Sequence, residues 1–173
     1  MPIGTRPYGS GKTTTVLAPA WSIALCKPFL KRSDAGEPGK VLFIATDAGL
    51  EPLKKACDDL GIDPDNPVLK HGHPDQRIFV WAHEPGQGLA SWCADINGVI
   101  KLRSFTKEEG IAAVFTDSVK SITSASGWTH EHNLPNRKLL RCLRETVCQP
   151  LGCGIVLLNH DGIKESTHSG AKS

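Results

Sequence analysis

Ile111-Ala112-Ala113-Val114-Phe115-Thr116 is an apolar run that ends in Asp117-Ser118. A short apolar run closed by polar residues is the pattern of a strand buried on both faces. The pattern recurs on either side of it. Lys40-Val41-Leu42-Phe43-Ile44-Ala45 ends in Thr46-Asp47, and Cys153-Gly154-Ile155-Val156-Leu157-Leu158 ends in Asn159-His160. Arg77-Ile78-Phe79-Val80-Trp81-Ala82 is a fourth candidate strand. Helical periodicity fills the intervals. Leu50, Leu53, Ala56, Cys57 and Leu60 share one helical face, and Gly61 stops that helix. A loop with Pro64, Pro67 and Pro74 follows, up to Gln76. After Gly86-Gln87-Gly88 a helix is expected from Leu89 to about Lys107, and another from Asn136 to Cys148 with Leu139, Leu140, Leu143 and Val147 on one stripe. Ser121 to Pro135 and the tail from Asp161 to Ser173 are polar and loop-like.

Apolar strands alternating with helices predict an α/β fold in three layers: a mainly parallel central sheet with helices on both faces. Ligands of such sheets sit beyond the carboxyl ends of the strands. The polar pairs Thr46-Asp47, Asp117-Ser118 and Asn159-His160 should therefore meet on one edge.

The 173 residues suit a single domain spanning 1–173, and 39% hydrophobic content supplies a core. A net charge of +2 is too mild to argue for nucleic acid by itself. The six cysteines form no C-x-x-C pair and no zinc spacing. With no signal peptide and no membrane-spanning run, they read as free thiols of a cytoplasmic protein, most of them in the core.

Upstream of the first strand stands Gly9-Ser10-Gly11-Lys12-Thr13-Thr14-Thr15, leading into a helix over Val16 to Leu25. This order suits a phosphate. Glycines let backbone N–H groups turn inward, and a helix N-terminus adds its own N–H groups and positive dipole end. Lys12 would reach the β- and γ-phosphates of ATP or a similar triphosphate, Gly9 to Thr14 would cradle them, and the Thr13 hydroxyl would ligate Mg²⁺. The pattern G-x-x-x-x-G-K-[ST] departs in one place: it calls for glycine at position 6, where this chain has Arg6, and Gly4 lies two residues too early. Met1-Pro2-Ile3-Gly4 does not suit a central strand before the loop. The expectation is a fragment lacking part of its terminal elements, or a site assembled differently, and marginal stability for the isolated chain.

Asp117, at the tip of an apolar strand, would hold Mg²⁺ opposite Thr13. The plainer reading is a solvated strand end. No glutamate follows Asp117, so a group that orients water must come from elsewhere. Asp47 is the candidate, with Glu51 behind it; helix capping and first-turn dipole complement are their ordinary roles. Asn159 or His160 would touch the γ-phosphate and report its loss, or simply satisfy a strand end. His130-Glu131-His132 lacks a well-spaced third ligand and reads as loop rather than metal site.

Taken together, Gly9-Ser10-Gly11-Lys12-Thr13, Val41 to Asp47, Val114 to Ser118, and Val156 to His160 followed by Lys164 and Ser169-Gly170 resemble the RecA-like branch of P-loop ATPases. Within it, the chain resembles the RepA-type hexameric replicative helicases of plasmids and phages. The resemblance implies ATP and Mg²⁺ as cofactors, a homo-oligomeric ring, and loops that grip single-stranded DNA. Those loops would be Ser121 to Asn133 and Asp161 to Ser173, with Lys120, Lys164 and Lys172 as their basic residues. In the family, the strand after the phosphate-loop helix ends in a catalytic glutamate; here that place is Thr46-Asp47. Glu131 and Asn133 match a Glu and an Asn of the loop after the metal-binding acid. The leading expectation is a Mg²⁺-dependent ATPase, of a helicase or a related DNA replication or recombination enzyme. A weakly catalytic nucleotide-binding module is the alternative. A small-molecule kinase is disfavoured, because Arg137, Arg141 and Arg144 fall at helix spacing rather than in a lid.

Overall fold

The computed structural model describes residues 12–28, 37–45, 50–63, 65–82, 96–117 and 134–158. In chain order these form α1 (Lys12–Leu25), β1 (Lys40–Ala45), α2 (Glu51–Asp59), β2 (Ile78–Ala82), α3 (Ile96–Glu109), β3 (Ile111–Asp117), α4 (Leu134–Leu143) and β4 (Gly154–Leu158). The four strands form one all-parallel sheet in the order β2-β1-β3-β4. The α/β expectation therefore holds among the described residues, with helices packed on both faces.

Strand alternation divides the core in two. Val41, Phe43 and Ala45 of β1, with Ala113 and Phe115 of β3, face Val16, Leu17 and Ala20 of α1 and Leu53, Ala56 and Cys57 of α2. Leu42, Ile44 and Val114 point the other way, to Val99 and Leu102 of α3 and Leu139 and Leu143 of α4. A register shift lies between Lys40 and Val41, whose partners on β3 are Ile111 and Ala113. The extra residue, Ala112, flips the alternation, which is why Ile111 joins the α3 side. Phe43 and Phe115 are the largest fully buried side chains, each contributing about 1.5–3 kcal/mol by burial.

Several boundaries differ from expectation for identifiable reasons. α1 begins at Lys12 and runs through Pro19. The ring removes one ladder donor, but Val16, Leu17 and Ala20 around it are buried. α2 ends as expected at Gly61, which adopts φ +65°. The Ile62 N–H donates to the Cys57 carbonyl at 2.8 Å and the Gly61 N–H to that of Asp58 at 3.0 Å, closing the helix. Of its expected buried face, Leu53, Ala56 and Cys57 are buried, whereas Leu50 and Leu60, at the helix ends, are exposed. α3 runs on to Glu109; the part of that helix expected before residue 96 lies outside the described residues.

α4 starts at Leu134 rather than Asn136, because Pro135 falls in the first turn, where no N–H is needed. It continues as a π-helical turn, Arg144–Cys148, and a final α turn, Gln149–Leu151. Pro150 accounts for the widening: its ring crowds the carbonyl four residues back, and the Gln149 N–H donates to Arg144 instead. Leu139, Leu143 and Val147 are buried, but Leu140 is turned out, 52% exposed. Cys57 and Cys153 are buried, while Cys26, Cys142 and Cys148 are only partly so, and all five are free thiols. The expectation that most cysteines sit in the core is thus met by Cys57 and Cys153 and in part by Cys142, which packs against the α3 side, while Cys93 lies outside the described residues. Among the described residues no helix is long and apolar enough to cross a membrane.

Candidate functional site

The winding of the chain reverses in the middle of the sheet. From β1 it crosses to β2 on one side; from β2 it returns past β1 to β3, then continues to β4. The reversal point lies between β1 and β3, whose last residues, Ala45 and Asp117, are register partners. At such a point the connections leave the carboxyl edge in opposite directions and open a crevice, the usual ligand position in open parallel sheets.

The first turn of α1 is placed there. The Thr13 hydroxyl, 7% exposed, donates to Oδ2 of Asp117 at 2.9 Å. This bond joins residues 104 apart in sequence. Both partners are fixed from below. Val16 and Leu17 anchor α1 against the sheet, and Phe115 and Thr116, directly before Asp117, are fully buried. On the outer side of the same turn, the Thr14 hydroxyl donates to Oδ2 of Asp59 at 3.3 Å. The start of α1 thus presents two hydroxyl–carboxylate pairs beside a helix N-terminus, whose N–H groups and dipole attract negative charge.

The residue types set what this arrangement can do. A hydroxyl and a carboxylate oxygen 2.9 Å apart are hard oxygen donors. They suit Mg²⁺, which takes one or two protein oxygens, keeps several waters and completes its shell with phosphate. The donor set therefore fits that ion, and the helix N-terminus fits the phosphate. Cys57, close behind on α2, is not a nucleophile in waiting: burial, with Asp58 adding to it, pushes its thiol upward and keeps it protonated.

Of the residues expected from sequence, Thr13 and Asp117 are brought together. Thr14 faces Asp59, and Lys12 is the first residue of α1. Gly9, Ser10, Gly11, Asp47 and His160 lie outside the described residues. β1 and β4 bring the chain to the last two at Ala45 and Leu158, which both pair with Asp117. Glu51 has its ordinary role: 80% exposed, it pairs with Lys54 at 2.7 Å in the first turn of α2. The loops expected to meet DNA, with His130-Glu131-His132, Lys120, Lys164 and Lys172, are also outside the described residues. Asp59 was not legible in the sequence. It reaches Thr14 only because α1 and α2 pack side by side through Val16, Leu17, Leu53 and Ala56, and no linear spacing encodes that contact.

Neither the family models nor the curated proteins with which this chain was compared match it.

Proposed function

We propose that this chain is the nucleotide-binding core of a Mg²⁺-dependent NTPase, of the RecA-like P-loop kind that its motifs resemble. The observation that carries the reading is the 2.9 Å bond from Thr13 to Asp117 at the reversal point of the sheet. It joins the two residues assigned to the metal, which the sequence keeps 104 positions apart.

In this reading Gly9 to Thr14 wrap the β- and γ-phosphates, and the N-terminus of α1 supplies N–H donors. Lys12 neutralises the phosphates. Thr13 and Asp117 would hold Mg²⁺, which when bound offsets charge on the phosphate oxygens. Asp47 orients the attacking water and accepts its proton, and His160 senses the γ-phosphate. ATP is the favoured nucleotide, and coupling to single-stranded DNA in a homo-oligomeric ring follows from the resemblance. The absence of the family's strand-end glutamate, with Thr46-Asp47 in its place, favours slow turnover as the second reading.

The test is ATP turnover by the purified chain with Mg²⁺, with and without single-stranded DNA, beside Lys12→Ala and Thr13→Ala. Turnover that needs Mg²⁺ and vanishes in both variants is expected. Nucleotide binding without turnover would replace the motor with a binding module. Failure to bind ATP, with Lys12→Ala indistinguishable from the parent, would sink the proposal.

A further inference from the structure

The tail of α4 turns back on itself before β4. After Gln149–Leu151 the chain passes through Gly152, whose φ of 63° lies in the left-handed region that side chains disfavour. The turn lets the Cys153 N–H donate to the Cys148 carbonyl at 3.1 Å. A bond from the second residue past a helix to a carbonyl of its last turn, closed over a left-handed glycine, is the Schellman arrangement. It brings the side chains of its two end residues together. Here both ends are cysteines.

The same bond limits their separation. With standard backbone lengths added at each end of it, the Cα atoms of Cys148 and Cys153 are at most about 7 Å apart, and closer where the path bends. A disulfide joins Cα atoms about 4.4–6.8 Å apart. The thiols also sense each other, since charge on Cys148 opposes charge on Cys153.

The two differ in access. Cys148 is partly exposed, and Arg144, one turn back, favours its thiolate against the burial that opposes it. Cys153 is buried in the core on the α3 side, its thiol donating to the Gly154 carbonyl at 3.3 Å. A reagent from solvent therefore meets Cys148 first. Other described cysteines are placed elsewhere: Cys142 faces the Thr146 hydroxyl at 3.9 Å, and Cys57 lies on the opposite face of the sheet.

We propose that Cys148 and Cys153 are a reversible redox pair, which a soluble disulfide such as oxidised glutathione converts to a disulfide clamping the tail of α4 to the amino end of β4. The Cys148 thiolate attacks one glutathione sulfur, forming a mixed disulfide and expelling one glutathione thiolate, which takes up a proton. The Cys153 thiol then gives its proton to solvent and attacks the Cys148 sulfur. The new S–S bond closes and the second glutathione leaves as a thiolate. Two cysteine thiols are oxidised, and one glutathione disulfide is reduced to two glutathione thiols. Burial of Cys153 slows the second attack at neutral pH, so the pair is characterised by its equilibrium. It lies at the amino edge of the sheet, away from the proposed nucleotide site, and does not depend on that reading.

The test equilibrates the full chain with mixtures of reduced and oxidised glutathione at about pH 8.5, near the ordinary thiol pKa. The samples are quenched in acid, unfolded, blocked with N-ethylmaleimide and digested with trypsin. Residues 145–164, between Arg144 and Lys164, hold Cys148 and Cys153 and no other cysteine. This peptide should appear unblocked and two hydrogens lighter as the buffer becomes oxidising, and doubly blocked again after dithiothreitol. The same titration in concentrated urea separates the fold from the mere spacing of the two cysteines. The folded chain should favour the disulfide at least about tenfold more than the unfolded chain, a midpoint about 30 mV more reducing. Cys142→Ala should leave that midpoint unchanged. A peptide that stays doubly blocked throughout, a mixed disulfide that never closes, or equal midpoints with and without urea would overturn the proposal.

Discussion

At the carboxyl end of β3, Asp117 accepts the Thr13 hydroxyl across 2.9 Å in a partly buried bond. At the amino end of β1 the same sheet is closed. The Gly39 N–H donates to the Ile23 carbonyl at 3.1 Å, so the end of α1 sits directly on the start of β1. A Cβ on Gly39 would lie 2.9 Å from Cβ of Ala112 and 3.2 Å from Cγ2 of Ile23. Lys40 closes the rim, paired with Glu109 at 3.0 Å and lying over the Phe79 ring at 5.5 Å. Among the described residues, one edge joins polar side chains from distant segments, and the other leaves no room for a methyl group. α1 spans both, with its first turn at the crevice and its last turn in the packed edge. The difference teaches where stability and chemistry are separable in this fold.

The largest effect should come from the crevice. Asp117→Asn keeps the shape and an acceptor for Thr13 but removes the charge that would hold a cation. If the proposed activity is correct, turnover with Mg²⁺ should fall at least about a hundredfold, near 2.7 kcal/mol in barrier. The unfolding midpoint in urea should move by no more than a hydrogen bond is worth, about 1 kcal/mol. A variant that unfolds instead would show that the crevice pair is structural, and the two edges would lose their contrast.

The converse experiment is Gly39→Ala. The added methyl meets Cβ of Ala112, which has no rotamer to yield, so the backbone must shift. Overpacking of this kind costs about 1–3 kcal/mol, read as a lower urea midpoint. Nucleotide affinity should stay within about twofold, under half a kcal/mol. Loss of affinity equal to the loss of stability would mean that α1 carries strain from one edge to the other.

Sequence reached the carboxyl edge better than the amino edge. Thr13 and Asp117 stand at recognisable places, the first turn of a helix after glycines and the tip of an apolar strand, so their meeting could be expected. The alternation that buries Phe43 and Phe115 was equally legible, because one face of each strand must be covered. What escaped depends on contacts between distant segments. Ala112 as the extra residue of a register shift, Gly39 beside it, and Asp59 opposite Thr14 leave no local signature. The stripe expected on α4 includes Leu140, but the covered face is narrower: Leu139, Leu143 and Val147 lie under it, and Leu140, about 100° round the helix from Leu139, falls beyond its edge.

The smallest effect belongs to the amino edge at β4. Cys153 directly precedes that strand, is 4% exposed, and its thiol donates to the Gly154 carbonyl at 3.3 Å. Burial, with nearby Cys148 adding to it, pushes the thiol up to about 11 from an ordinary 9.0. The folded chain therefore keeps a proton that the unfolded chain releases. Between about pH 9 and about pH 11 the unfolded state binds fewer protons, so stability is complete below pH 9 and falls as pH rises. Burial pushes Cys57 and Cys148 the same way. Cys153 alone should account for about 1–2 kcal/mol of the decline. Urea unfolding of Cys153→Ala over this range should fall less steeply with pH than the parent, whatever the variant's own stability at neutral pH. Parallel curves would mean that water reaches Cys153, and that the amino edge is less tightly closed at β4 than at Gly39.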